Sequence, residues 1–226
     1  MRVRRSITKS RAWGLALLGV PLFVACSDAG ARGPVTLNPK GCAAVDAGAP
    51  YPPCPYGINE GEAIENATFV GRRGGLDTPR ENIDLASYHA MRARGSRYLV
   101  LNVAAFWCSP CKEEAREMQA HIVPAYAPRG VAFLSVVLQD ESRRPATDDK
   151  VDTWIRAFRL TFPVVRDPDA YVTRFFDPAS MPLNMIIDLE TMKIEQKVIG
   201  ADLRRVTSTL DTLLSKPPLG APSSGG

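Results

Sequence analysis

The chain has 226 residues, 45% of them apolar and 23% charged, which suits one globular domain with appendages. Its 28 basic and 24 acidic residues leave a formal charge of +4. Five of the basic residues, Arg2, Arg4, Arg5, Lys9 and Arg11, stand in the first 25 positions, which hold no acid; without them the charge is 4 − 5 = −1, and nothing in that balance points to nucleic-acid binding.

From the start, a basic head (MRVRRSITKSR) precedes an apolar run (AWGLALLGVPLFVA) interrupted by Gly14, Gly19 and Pro21. The run is too short and broken for a membrane span, so residues 1–25 are predicted to be an export signal. It ends in Phe23-Val24-Ala25-Cys26. Small residues before a cysteine resemble a bacterial lipoprotein cleavage box, although Phe23 replaces the usual leucine. Cys26 is then the expected lipidation site; the alternative is a plain secretory signal in which Cys26 is incidental. A twin-arginine pattern around Arg4-Arg5 is fainter. Either way the protein is expected outside the cytosol, facing the periplasm or cell exterior, where cysteines can stay paired.

Residues 26–65 are rich in Gly, Pro, Ala and Asp without periodicity and read as a tether. They contain Cys42 and Cys54, an even remainder expected to bond with each other. A second redox pair relaying electrons to Cys108 is the alternative. The domain is expected over 66–216, its folded body starting near Phe69, and the tail over 217–226 is expected to be disordered. Asn82 to Leu85 reads as a short extended piece, and ASYHAMRAR (86–94) as a helix stopped by Gly95. YLVLNVAAF (98–106) and VAFLSVVL (131–138) are nearly continuous apolar runs, as strands buried on both faces require. Residues 109–123 read as a helix ended by Pro124, and KVDTWIRAFRL (150–160) as a second helix with apolar residues at helical spacing. Pro163 to Arg166 reads as a short strand and Asp169 to Phe176 as a short helix. NMIIDL and IEQKVI flank a tight turn and predict a hairpin, and 201–215 closes with an amphipathic helix. The order implies a mixed α/β sheet flanked by helices, with a right-handed crossover.

The chemistry sits in FWCSPCKEE, residues 106–114. Cys108 and Cys111 fall at the seam between a buried strand and a helix. A helix N-terminus carries partial positive charge and free N–H groups, which favour a thiolate, and the thiolate is the form that attacks a disulfide. Cys111 lies one helical turn on, so the two sulfurs can meet. Pro110 suits the first helical turn, and Lys112 adds positive charge. Cys108 is expected to be accessible and to attack first, Cys111 to be shielded and to resolve the mixed disulfide, and Trp107 to wall the site. A zinc site would need four ligands, and the chain has only His89 and His121 and no second Cys-x-x-Cys. An inert structural bridge is disfavoured because this spacing makes a reducible bond. No cofactor and no metal are implied.

Trp-Cys-x-Pro-Cys after a buried strand resembles the thioredoxin superfamily, and more closely its exported TlpA/ResA-like branch of membrane-tethered proteins linked to cytochrome c maturation, over roughly residues 66–215. The resemblance implies a thioredoxin fold with an N-terminal extension and a central helix/strand insertion. It implies thiol–disulfide oxidoreductase activity on protein thiols and disulfides, apocytochrome c among them, fed by a transmembrane thiol donor. Glu114 matches a glutamate that tunes protonation near the cysteines in that branch; the bland alternative is a surface residue. Asn102 stands where cytosolic thioredoxins have aspartate. Arg116 replaces a frequent proline, so the helix is expected to be unkinked or differently kinked. Met181-Pro182 matches the family's cis-proline loop, implying that Met181 and Pro182 dock substrate, with Trp107, Ser109 and Pro110 on the cysteine side. Ser109-Pro110 lacks the histidine of strong oxidants, so a reducing or intermediate potential is expected.

Three competitors differ in chemistry. A peroxiredoxin-like peroxidase usually has threonine three before its cysteine, where Ala105 stands. A copper carrier needs wider cysteine spacing and a downstream histidine, and none follows His121. A non-catalytic binding module would have unreactive thiols. Of the remaining residues, Glu113, His89 and His121 are expected on solvated faces, Trp154 and Phe158 in the core, and Asp188 capping the hairpin turn.

Overall fold

Seven strands form one mixed sheet in the computed structural model, which describes residues 51–217. The leader, Cys26, Cys42 and residues 218–226 lie outside the described residues. The strands are β1 (Thr68–Arg72), β2 (Arg80–Asp84), β3 (Tyr98–Ala105), β4 (Val131–Gln139), β5 (Val164–Arg166), β6 (Leu183–Asp188) and β7 (Ile194–Ile199). Their spatial order is β2-β1-β5-β4-β3-β6-β7. β3 and β4 run parallel, as do β4 and β5; the other neighbours are antiparallel. All eight side chains of β3 are buried and eight of nine in β4. Such runs cannot alternate, because the sheet's centre is covered on both faces.

The helices are α1 (Leu85–Ala90), α2 (Ser109–Glu117), α3 (Val123–Tyr126), α4 (Asp148–Phe158) and α5 (Leu203–Ser215). Even-numbered positions of β3 face α2 and α5: Asn102 reaches Glu114 of α2, and the Tyr98 hydroxyl donates to the Leu213 carbonyl of α5. Opposite the sheet centre, β1 approaches β5 so closely that a side chain at Gly71 would overlap the Val164 carbonyl oxygen. Arg72 and Arg80 tie β1 and β2 to α4 through Asp152, at 2.7 and 2.5 Å.

The helix after the cysteines does not stop at Pro124. It passes from α2 through a π-helical turn, Met118–Ile122, into α3, which contains Pro124. Proline lacks the N–H for an i−4 bond and its ring crowds that carbonyl. Widening the preceding turn to i−5 bonding, Val123 N–H to Met118 C=O, relieves the conflict. Two further differences concern residues before β1. Tyr51 and Ile64 are core residues, so packing begins well before Phe69. Their segment covers α1: the Tyr51 ring meets His89 at 5.7 Å, and His89, expected in solvent, is buried with Nδ1 2.6 Å from the Leu189 carbonyl. Periodicity missed this cover because residues 51–64 form no regular element. Asp169 to Phe176 is reduced to a 3-10 turn, Tyr171–Arg174. Gly95, with φ of 91°, terminates the segment after α1 as its sequence demands. Trp154 is fully buried, and Asp188 Oδ1 accepts from the N–H groups of Glu190 and Thr191 in the hairpin turn.

Candidate active site

β3 ends at Ala105, and α2 starts at Ser109 with Cys108 as its N-cap, in extended conformation. Pro110 occupies the first turn, where an N–H is not needed. The Cys108 and Cys111 sulfurs are bonded at 2.03 Å. The Cys111 N–H also points at Cys108 Sγ, at 3.1 Å. That donor is one of the free amides of a helix N-terminus, and it would stabilise negative charge on Cys108 once the bridge opens.

Both cysteines are buried, Cys108 3% exposed and Cys111 1%. This corrects the expectation that Cys108 is accessible. As N-cap, it turns its sulfur back over the first turn rather than outward. The residues between them, Ser109 and Pro110, are exposed, so the bridge lies directly beneath the surface of that turn.

Behind the bridge a polar row crosses the sheet. Ser135 of β4, Asn102 of β3 and Asn184 of β6 are direct cross-strand partners. Ser135 Oγ donates to Asn102 Oδ1 at 3.2 Å, and Asn102 Nδ2 donates to Asn184 Oδ1 at 2.9 Å. Both amides then donate to Glu114 Oε2, Asn184 at 2.9 Å and Asn102 at 3.3 Å. Glu114 is 4% exposed, so it is not a surface residue. Its Oε1 is buried with no hydrogen-bond partner among the described residues. Burial raises its pKa from 4.5 to about 7; the two amide hydrogen bonds oppose that rise, and the nearby Asp202 carboxylate adds to it. Glu114 lies three residues beyond Cys111, on the same helix face. A carboxyl whose pKa is raised to about 7 therefore sits one helical turn beyond Cys111.

Trp107 is half-buried beside Cys108. Its Nε1 donates to Gln139 Oε1 at 2.8 Å, and the Arg143 guanidinium lies 4.0 Å from its ring centroid. The Met181–Pro182 peptide bond is cis and directly precedes β6. Met181 is extended (φ −60°, ψ 155°) and its backbone makes no hydrogen bond among the described residues. Met181 and Pro182 are both buried. Cys54 is engaged in a disulfide, while its expected partner Cys42 lies outside the described residues. Among the described residues no cluster of three or more His, Cys, Asp or Glu is placed to hold a metal, and no helix is long and apolar enough to cross a membrane.

Sequence reasoning missed Asn184, Ser135, Gln139 and Arg143. The first two had a signal: each is a polar residue inside an apolar strand run, where burial demands a partner. Gln139 and Arg143 had none: strand pairing sets Gln139 opposite Ala105, and the loop's path carries Arg143 to Trp107.

A mixed sheet with a cysteine pair at a strand–helix seam, and a cis-proline leading into the strand beside that seam's own strand, defines the thioredoxin fold. The chain belongs to the AhpC/TSA family, whose model matches residues 66–196. It is similar to the thiol-disulfide oxidoreductase ResA of Oceanobacillus iheyensis, 31% identical over 121 residues, which are 54% of this chain and 58% of that protein. The chain thus spans under two thirds of that relative's length. Bacillus subtilis ResA is 28% identical over 147 residues, 62% of this chain and 76% of that one. Among solved structures, a secreted thiol-disulfide isomerase of Corynebacterium glutamicum shares the fold, with a TM-score of 0.51 and 15% identity over 70% of this chain and 90% of its own.

Proposed function

We propose that this protein is a thiol–disulfide oxidoreductase acting on protein disulfides outside the cytoplasm, with Cys108 and Cys111 as the redox couple. The observation that carries the reading is the Cys108–Cys111 bridge at the N-cap of α2 with Glu114, a carboxyl titrating at about 7, buried behind it. In the reduced protein the Cys108 thiolate attacks one sulfur of a substrate disulfide; that bond breaks, the first substrate sulfur leaves as a thiolate and takes a proton, and a mixed disulfide forms. Cys111 loses its proton to Glu114 and attacks Cys108 Sγ. The second substrate sulfur leaves as a thiolate and takes that proton from Glu114, and the Cys108–Cys111 bond is restored, two electrons having passed to the substrate. A dithiol donor then reduces the protein again. Trp107, Ser109 and Pro110 on one side and Met181 and Pro182 on the other form the docking rim. Relatives named as thiol-disulfide oxidoreductases support the reaction class.

The wider setting belongs to the same reading. Residues 1–25 direct export, Cys26 carries the lipid anchor, Cys42 and Cys54 form a structural bridge, and 66–216 is the catalytic body, onto which residues 51–64 pack. The donor is a membrane thiol protein, apocytochrome c is a candidate substrate, and the potential is reducing or intermediate. A peroxiredoxin-like peroxidase usually has threonine three residues before its cysteine; Ala105 stands there instead. The Cys108→Ser variant is expected to lose insulin-disulfide reduction. Retained activity, or peroxide consumption exceeding disulfide reduction in the unaltered protein, overturns the reading.

A further inference from the structure

The loop joining β4 to α4 is built around one buried carboxylate. Asp140 Oδ1 accepts from the N–H groups of Ser142 and Arg144, at 2.8 and 2.9 Å, and its Oδ2 accepts from Arg144 Nε at 3.0 Å. The Asp140 N–H donates to the Arg144 carbonyl and the Arg143 N–H to the Asp140 carbonyl. These bonds hold Arg143, at the loop's apex, with a φ of 62°, a conformation that non-glycine residues rarely adopt. The loop's other charges are paired: Arg144 with Asp140 inside the loop, and Glu141 with Lys150 of α4.

Arg143 is the exception. It makes no ion pair and no side-chain hydrogen bond among the described residues, yet it is exposed and lies 4.0 Å from the centroid of the Trp107 ring. Gln139, at the loop's start, fixes the same indole through Nε1. A guanidinium stacked on an aromatic face keeps its five N–H donors directed outward in its own plane, in a fork that fits a carboxylate. Trp107 adjoins Cys108, which places the fork next to the cysteine pair. Lys112 carries a second unpaired cation, but it is half-buried, whereas Arg143 is exposed.

We propose that Arg143 is a specificity-determining residue: it receives the carboxylate of an aspartate or glutamate adjacent to the substrate's cysteine, so that acidic disulfide segments are preferred. This rests on the oxidoreductase reading above.

The test uses the full chain, reduced, and two peptides with a glutathione mixed disulfide on their single cysteine, identical except for Glu or Gln at the flanking positions. The ratio of their reduction rate constants is expected to be about threefold in favour of Glu at low salt, the size of effect an exposed ion pair supports. It should fall to about one in Arg143→Gln, and also in the unaltered protein at about 1 M salt, where the screening length is about 3 Å. A ratio of one in the unaltered protein at low salt, a preference surviving in Arg143→Gln, or an equal slowing of both peptides in that variant overturns the proposal. If neither peptide is reduced by the unaltered protein, the oxidoreductase reading fails instead.

Discussion

Replacing Glu114 with glutamine separates a buried, titrating acid from a merely polar one. Its carboxyl has its pKa raised from 4.5 to about 7, chiefly by burial. At about 1.4 kcal/mol per tenfold in proton affinity, the ionised form is disfavoured in the folded chain by roughly 3 kcal/mol. Because the folded value lies above the unfolded one, this group's contribution to stability is fully present below about 4.5. It is lost as pH rises to about 7, and beyond that it stays lost. Glutamine can still accept from Asn184 and Asn102 through one oxygen, and its amide takes the place of the unpartnered Oε1, so the variant resembles the protonated acid. Denaturant unfolding of the oxidised proteins at pH 5 and pH 8.5 reads the difference. Glu114→Gln should match the unaltered protein within about 1 kcal/mol at pH 5 and exceed it by up to about 3 kcal/mol at pH 8.5. A stability difference that is the same at both pH values would refute the argument, since Glu114 would then not change charge on unfolding in this window.

Asn184→Leu removes a 2.9 Å donor to Glu114 Oε2 and the acceptor for Asn102. It should destabilise the oxidised protein by about 1–3 kcal/mol and move the Glu114 titration further upward, because a bond that favours the ionised form is lost; an unshifted pH profile of unfolding counts against the network. Gly71→Ala places a methyl against the Val164 carbonyl oxygen and the Val165 backbone. It should cost at least about 2 kcal/mol in a urea titration, and a neutral outcome would show that β1 can shift away from β5.

The sequence by itself determined the local framework. YLVLNVAAF and VAFLSVVL had to be interior strands because no face of either is polar enough for water, and WCSPC between such a strand and an amphipathic segment had to lie near a helix start. Gly95 and Asp188 announced their turns, since each satisfies backbone groups within a few residues of itself. Tertiary structure alone decided the rest. Ser135, Asn102 and Asn184 become one hydrogen-bonded row only through strand register, which depends on pairings between residues 33 and 82 positions apart. Glu114 acquires its proton affinity from burial under that row, not from its neighbours in CKEE. His89 left solvent because residues 51–64, an irregular segment with no periodic signal, lie over α1. The inward turn of Cys108 and the stacking of Arg143 on Trp107 likewise come from backbone paths in three dimensions. Interactions local in sequence leave a pattern that can be read along the chain; contacts between distant segments exist only after the sheet has aligned them.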